Sequence, residues 1–123
     1  MRQLKFRYYD DLLKRLVYSD EFEWTNALDK LEKFFQLASR YASNGVVQQY
    51  TGLQDQNGVD IYEGDIVRSF SEIYTNENFV AKVIYDESSF LTWIHKNDIR
   101  GLWGYDDIEV IGNIFENSEQ LEV

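Results

Sequence analysis

The stretch VVQQYTGLQDQNGVDIYEGDIVR, residues 46–68, decides the fold. Two turn signals interrupt it. Asn57-Gly58 is the stronger, because both residue types accept positive φ, and Glu63-Gly64-Asp65 forms a second tight corner. Val46-Val47-Gln48-Gln49-Tyr50 reads as a short strand before the first turn, and Ile66-Val67-Arg68 as another after the second. The pattern is β, and it persists downstream.

Phe79, Ala81, Val83 and Tyr85 alternate with Val80, Lys82, Ile84 and Asp86, the period of two expected of a strand. Phe90 to His95 reads as its hairpin partner, joined through Asp86-Glu87-Ser88-Ser89. A last strand covers residues 109–115, where Gly112 marks a bulge or a close backbone approach. Upstream, Leu4, Phe6 and Tyr8 alternate with Lys5 and Arg7, and Leu16-Val17-Tyr18 completes a plausible hairpin. Lys5, Arg7, Lys14 and Arg15 then form a basic patch on its solvated face.

One helix is expected, over residues 26–42. Leu28, Leu31, Phe35, Ala38 and Ala42 recur at three- and four-residue spacing, giving one apolar stripe. Asn26 suits an N-cap, Asp29 and Arg40 complement the helix dipole, and Asn44-Gly45 supplies a left-handed stop. Phe34, Leu37 and Tyr41 widen the apolar surface and are expected to meet another subunit. The fold class is therefore mainly β with one α-helix. Short strands, tight turns, no proline and no βαβ rhythm favour a small SH3-like β-barrel carrying an N-terminal hairpin and an inserted helix.

With 123 residues, 44% of them apolar and 16% aromatic, the chain can build one core and does not read as disordered. A single domain over 1–123 is expected: hairpin and helix in 1–45, barrel in 46–117, a short tail in 118–123. Cysteine is absent, which removes disulfides, thiolate metal sites and cysteine nucleophiles. Neither a secretory h-region nor a run of about 20 apolar residues is present, so a cytoplasmic, membrane-free protein is expected. The net charge of −10 is uneven. Residues 1–50 hold 8 Lys+Arg against 7 Asp+Glu, and residues 51–123 hold 4 against 15. Such an acidic surface opposes direct nucleic-acid binding.

Candidate chemistry is sparse. Asp55, Asn57 and Asp60 resemble half a calcium loop, but Gly58 is at the fourth position where that loop needs its sixth, and Ile66 stands at the twelfth. His95 is the sole histidine, and Asp98 three residues on does not make it a general base. Asp106, Asp107 and Glu109 could hold a divalent ion through oxygen, yet read better as a solvated acidic loop. Trp93, Trp103, Tyr105, Tyr74 and Phe70 lack the positive groove of a nucleic-acid stacking platform and read as core or interface.

Residues 49–58, QYTGLQDQNG, followed by IYEGDIV at 61–67, resemble the signature of the YopX family of bacteriophage and prophage proteins. The run EVIGNIFEN at 109–117 resembles that family's C-terminal motif, and Lys5-Phe6-Arg7 its usual start. The motif residues are Tyr50, Thr51, Gly52, Leu53, Asp55, Asn57, Gly58, Tyr62, Glu63, Gly64, Asp65, Ile111, Gly112 and Asn113. The resemblance implies a barrel and a phage origin, and no reaction. Glycines at turns, Asp55 bonded to its own turn and Ile61, Ile66 and Val67 in the core would explain the motif structurally.

The expectation is a phage accessory protein without catalysis or cofactor, working by protein–protein contact and self-association through Phe34, Leu37, Tyr41, Trp93 and Trp103. A host or phage protein is the other possible partner. An acidic DNA mimic that occupies a host nucleic-acid-binding protein is the alternative, and a metal-dependent hydrolase or nuclease the third reading.

Overall fold

A computed structural model describes residues 4–21, 27–69, 79–86, 89–95, 98–101 and 108–121. The chain forms two compact units, residues 1–50 and 51–123. The expected subdivision after residue 45 thus lies five residues from the observed division, inside a long strand.

In the first unit, β1 (Phe6–Asp10) pairs antiparallel with both β2 (Arg15–Tyr18) and β3 (Ala42–Gln54). The β1–β2 turn is tied by Asp10, whose Oδ1 accepts from the N–H groups of Leu12 and Leu13 at 2.8 and 2.9 Å. Lys14 closes it in the left-handed region, φ 57°, with its N–H donating to the Asp10 carbonyl. A 3-10 turn at Ser19–Glu21 follows, and Ser19 Oγ accepts from the Phe6 N–H.

The helix α1 spans Ala27–Tyr41. It stops where expected, because Asn44 and Gly45 both take positive φ, 54° and 69°. Its phase, however, differs from the stripe drawn through Phe35. Phe34 is fully buried and Ala38 nearly so, packing with Tyr8 and Val17, while Phe35 and Tyr41 are exposed. The sheet decides this: Tyr8 meets Phe34 at a ring distance of 5.4 Å, and Phe35 is left to lean on Phe6 at 5.1 Å. Either phase satisfies helical periodicity, and only the partner surface selects between them.

Arg7 departs from expectation too. It is buried rather than on a solvated face, and its Nε donates to Gln48 Oε1 at 2.7 Å, directly across the β1–β3 ladder. The basic patch therefore loses one of its four members.

In the second unit, the end of β3 pairs with β4 (Asp60–Tyr62). A five-stranded antiparallel sheet runs β8-β7-β6-β5-β9, built from β5 (Asp65–Ser69), β6 (Phe79–Asp86), β7 (Ser89–His95), β8 (Asp98–Gly101) and β9 (Ile108–Asn113). Four successive strands form a meander, and the last strand returns beside the first. The core holds Ile61, Val67, Val83 and Ile108, with Leu53 and Val110 packed against it. The β5–β9 register passes from Ile66↔Gly112 to Val67↔Val110, so Ile111 is the extra residue of a bulge beside Gly112. The chain is mainly β with one helix, as read. Strand β8 has no counterpart in that reading, and residues 118–121, taken for tail, form a 3-10 turn.

Two outcomes follow from the first core. Phe34→Ala should lower unfolding free energy by about 3–5 kcal/mol, measured by denaturant titration, whereas Phe35→Ala should cost much less. Burial pushes the Tyr8 phenol above its ordinary pKa, and the Asp10 carboxylate adds to the shift against an opposing Arg15. The folded state then retains a proton that the unfolded state releases near pH 10. Its stabilisation is whole below about pH 10 and is lost as pH rises further. Tyr8→Phe should make that alkaline loss shallower than in the parent chain, read as unfolding free energy against pH.

Candidate functional site

The motif residues gather around two backbone knots in the second unit. The first is the turn after β3. Asp55 is buried at 2% exposure, and its carboxylate accepts three backbone hydrogen bonds. Oδ1 takes the N–H groups of Asn57 at 2.8 Å and Val59 at 2.9 Å, and Oδ2 takes Val110 N–H from β9 at 2.9 Å. Gly58 N–H donates to the Asp55 carbonyl, Asp55 N–H to Val59 and Gln56 N–H to Ile108. Of the Asn57-Gly58 pair, only Gly58 adopts positive φ, 80°. The loop is therefore a three-residue turn with its left-handed residue last, rather than a two-residue turn centred on Asn-Gly. Thr51 supports the same hairpin from inside: its Oγ1 donates to the Ile61 carbonyl at 2.7 Å and accepts from Leu53 N–H.

The second knot surrounds the Glu63-Gly64 corner between β4 and β5. Asp65 Oδ2 accepts from Tyr62 N–H at 2.8 Å, closing the corner. Gly64, at φ 83°, donates its N–H to the Val83 carbonyl in β6 and accepts from Ile114 N–H beyond β9. Asp65 faces Asn113 across the ladder. Asn113 Oδ1 accepts from Phe115 and Glu116 N–H groups, and its Nδ2 donates to Glu116 Oε1. Its own N–H donates to Asn117 Oδ1 at 3.2 Å. That contact explains Gly112, since a Cβ there would lie 2.5–2.7 Å from the Asn117 side chain.

Chemically, these groups are committed. Each buried side-chain oxygen named here accepts from backbone N–H or donates to backbone, so taking a substrate proton or a cation would mean releasing a turn. Among the described residues, no three His, Asp or Glu side chains converge as metal ligands. Asp55 and Asp60 lie in one hairpin, but Asp60 Oδ1 accepts from Gln54 Nε2 while Asp55 faces the backbone. Glu109 makes a 3.7 Å ion pair with Arg68 and accepts from Gln56 Nε2. Asp106 and Asp107 lie outside the described residues. His95 ends β7 in register with Asp98. No described helix is long and apolar enough to cross a membrane.

The expected interface residues separate. Phe34 is core at 0% exposure and does not present a surface, a correction forced by its packing on Tyr8. Leu37 is half-buried against the same core, and Tyr41 is exposed. The strand position of Trp93, opposite Lys82, is described but its side chain is not, and Trp103 lies outside the described residues. Sequence reading passed over an adjacent exposed apolar pair, Leu12 and Leu13, at 79% and 59%. The signal was available, because an Asp10 turn that ends at Lys14 must present whatever stands between them.

The family model described as "YopX protein" matches residues 5–122, a span that includes α1. The crystal structure of protein EF1440 from Enterococcus faecalis is similar in fold, with a TM-score of 0.63 at 23% identity, over 99% of this chain and 100% of that one. No curated protein matches the chain.

Asp55→Ala should remove the acceptor of three part-buried N–H groups and cost about 2–3 kcal/mol, because Asn57 and Val59 are exposed and water replaces part of what is lost. Asp55→Asn keeps the shape and one acceptor oxygen, so its loss should fall between parent and alanine. Denaturant midpoints for the three proteins check the order.

Proposed function

This chain belongs to the YopX family, and on that premise we propose that it is a phage- or prophage-encoded accessory protein acting by protein–protein contact. In this reading it self-associates in the bacterial cytoplasm and catalyses no reaction. The observation that carries it is the commitment of the motif's polar groups to backbone: Asp55, Asp65, Asn113 and Thr51 hold turns and offer no free base or ligand. The meander with its last strand returned beside its first supports an SH3-like barrel for the second unit.

Charge supports self-association. The division between the units falls where the charge changes, so the first unit carries a net +1 and the second −11. A cleft along α1, lined by Lys33, Gln36, Leu37, Ser39 and Arg40, sets two cations beside a leucine on the first unit. Leu12, Leu13 and Tyr41 supply exposed apolar surface for the contact. The −11 of residues 51–123 also favours a second reading, an acidic decoy for a host nucleic-acid-binding protein.

Light scattering coupled to size exclusion, at low and high salt, separates the two. A discrete oligomer that loosens with salt is the expected result, because opposite charges at a wet interface are screened. A monomer under both conditions removes self-association and gives the decoy first place.

A further inference from the structure

The chain contains the tripeptide Asn-Gly-Val twice, at residues 44–46 and 57–59. Asn-Gly is chemically labile because glycine leaves its own N–H unhindered, so that nitrogen can reach the preceding side-chain amide. Local sequence gives the two sites the same intrinsic reactivity. The fold does not.

At Asn57 both backbone nitrogens are held: Asn57 N–H donates to Asp55 Oδ1 at 2.8 Å and Gly58 N–H to the Asp55 carbonyl at 3.0 Å. Bringing the Gly58 nitrogen onto the Asn57 side chain means breaking the turn that Asp55 organises. Asn44 stands in a different setting. The β1–β3 register passes from Tyr8↔Val47 to Asp10↔Ala42, so residues 43–46 loop out of the ladder opposite Tyr9 alone. Asn44, Gly45 and Val46 are exposed, as are Asn57, Gly58 and Val59, and nothing lies within 4 Å of a Cβ built on either glycine. What separates the sites is the set of backbone hydrogen bonds in the Asp55 turn and the break in the ladder at 43–46.

We infer that Asn44 is a site of spontaneous succinimide formation and deamidation, and that Asn57 is protected by the Asp55 turn. In the reaction the Gly45 nitrogen attacks Asn44 Cγ. The N–Cγ bond forms, the Cγ–Nδ2 bond breaks, and ammonia leaves carrying the glycine amide proton. Water then opens the ring at either carbonyl, giving aspartate or isoaspartate. Both products tell on the fold at this place. A new carboxylate sits just past the C-terminus of α1, where the helix dipole disfavours negative charge. Isoaspartate also lengthens the backbone inside the left-handed stop that ends the helix.

The whole chain, aged in mildly alkaline buffer, tests this by tryptic peptide mapping. One peptide, residues 41–68, carries both sites, and fragmentation places the one-dalton gain on Asn44 or Asn57. Conversion at Asn44 several-fold ahead of Asn57 is expected in the folded chain, with equal rates once urea unfolds it. Gly45→Ala should slow Asn44, and Asp55→Asn should speed Asn57. Equal native rates, a faster Asn57, or no conversion at Asn44 would overturn the inference.

Discussion

Three backbone N–H groups converge on the carboxylate of Asp55, two from its own turn and one from Val110, 55 positions along the chain. Hydrogen bonds to an ionised acceptor contribute about 1.5–3 kcal/mol each. The nearby Arg68–Glu109 pair is partly exposed, and pairs of that kind contribute roughly 0–1 kcal/mol. The carboxylate therefore governs how the β3–β4 hairpin meets β9. The pairing is between strands that are neither sequential nor joined by a short loop, so loop closure makes it costly to form. Its local half offsets part of that cost, because Asn57 and Val59 lie within four residues of the carboxylate they bind.

That arrangement accounts for the motif's glycines and acids. The Gly64 peptide links β6 to the turn after β9 through its N–H and carbonyl, and Asp65 holds the corner that presents it. Gly112 lets Asn117 approach, and Asn117 in turn accepts from Asn113. Each residue is specific because another backbone group depends on it. A fold-level motif of this kind carries little information about activity, which resides in whatever the scaffold displays.

What could be read in advance follows the same division between local and distant causes. The strand at 79–86, the β1–β2 hairpin, the helix stop at Asn44-Gly45 and the bulge at Gly112 depend on neighbouring residues, and all were legible. The choice of Phe34 over Phe35 depends on the sheet beneath the helix, which periodicity does not contain. Arg7 alternates like a solvent-facing residue but meets Gln48, 41 positions away. The Asn57-Gly58 dipeptide tolerates positive φ at both residues, whereas in the fold Asp55 holds the Asn57 N–H and only Gly58 is left-handed. Leu12 and Leu13 lie outside any periodic segment, and their exposure follows instead from the turn between Asp10 and Lys14.

The sheet edges constrain how any partner can approach. An open strand edge invites another strand, and among the described strands the edges at β9 and β2 are partly blunted by side chains. Along β9, Ile108 accepts from Gln56 N–H and Val110 donates to Asp55, so two of the groups another strand would need are occupied. Along β2, Arg15 donates to the Leu16 carbonyl at 3.0 Å, and Glu21 accepts from Tyr18 N–H while pairing with Arg15. This last device is exposed and energetically slight as an ion pair, but its effect is geometric: two side chains fill the positions of a fifth strand. Association at these edges by strand addition would first have to displace them. The apolar tip at Leu12-Leu13 needs no such displacement, since the Asp10 turn holds it clear of the ladder. Contact through the Leu12-Leu13 tip would therefore cost less than strand addition at β2 or β9.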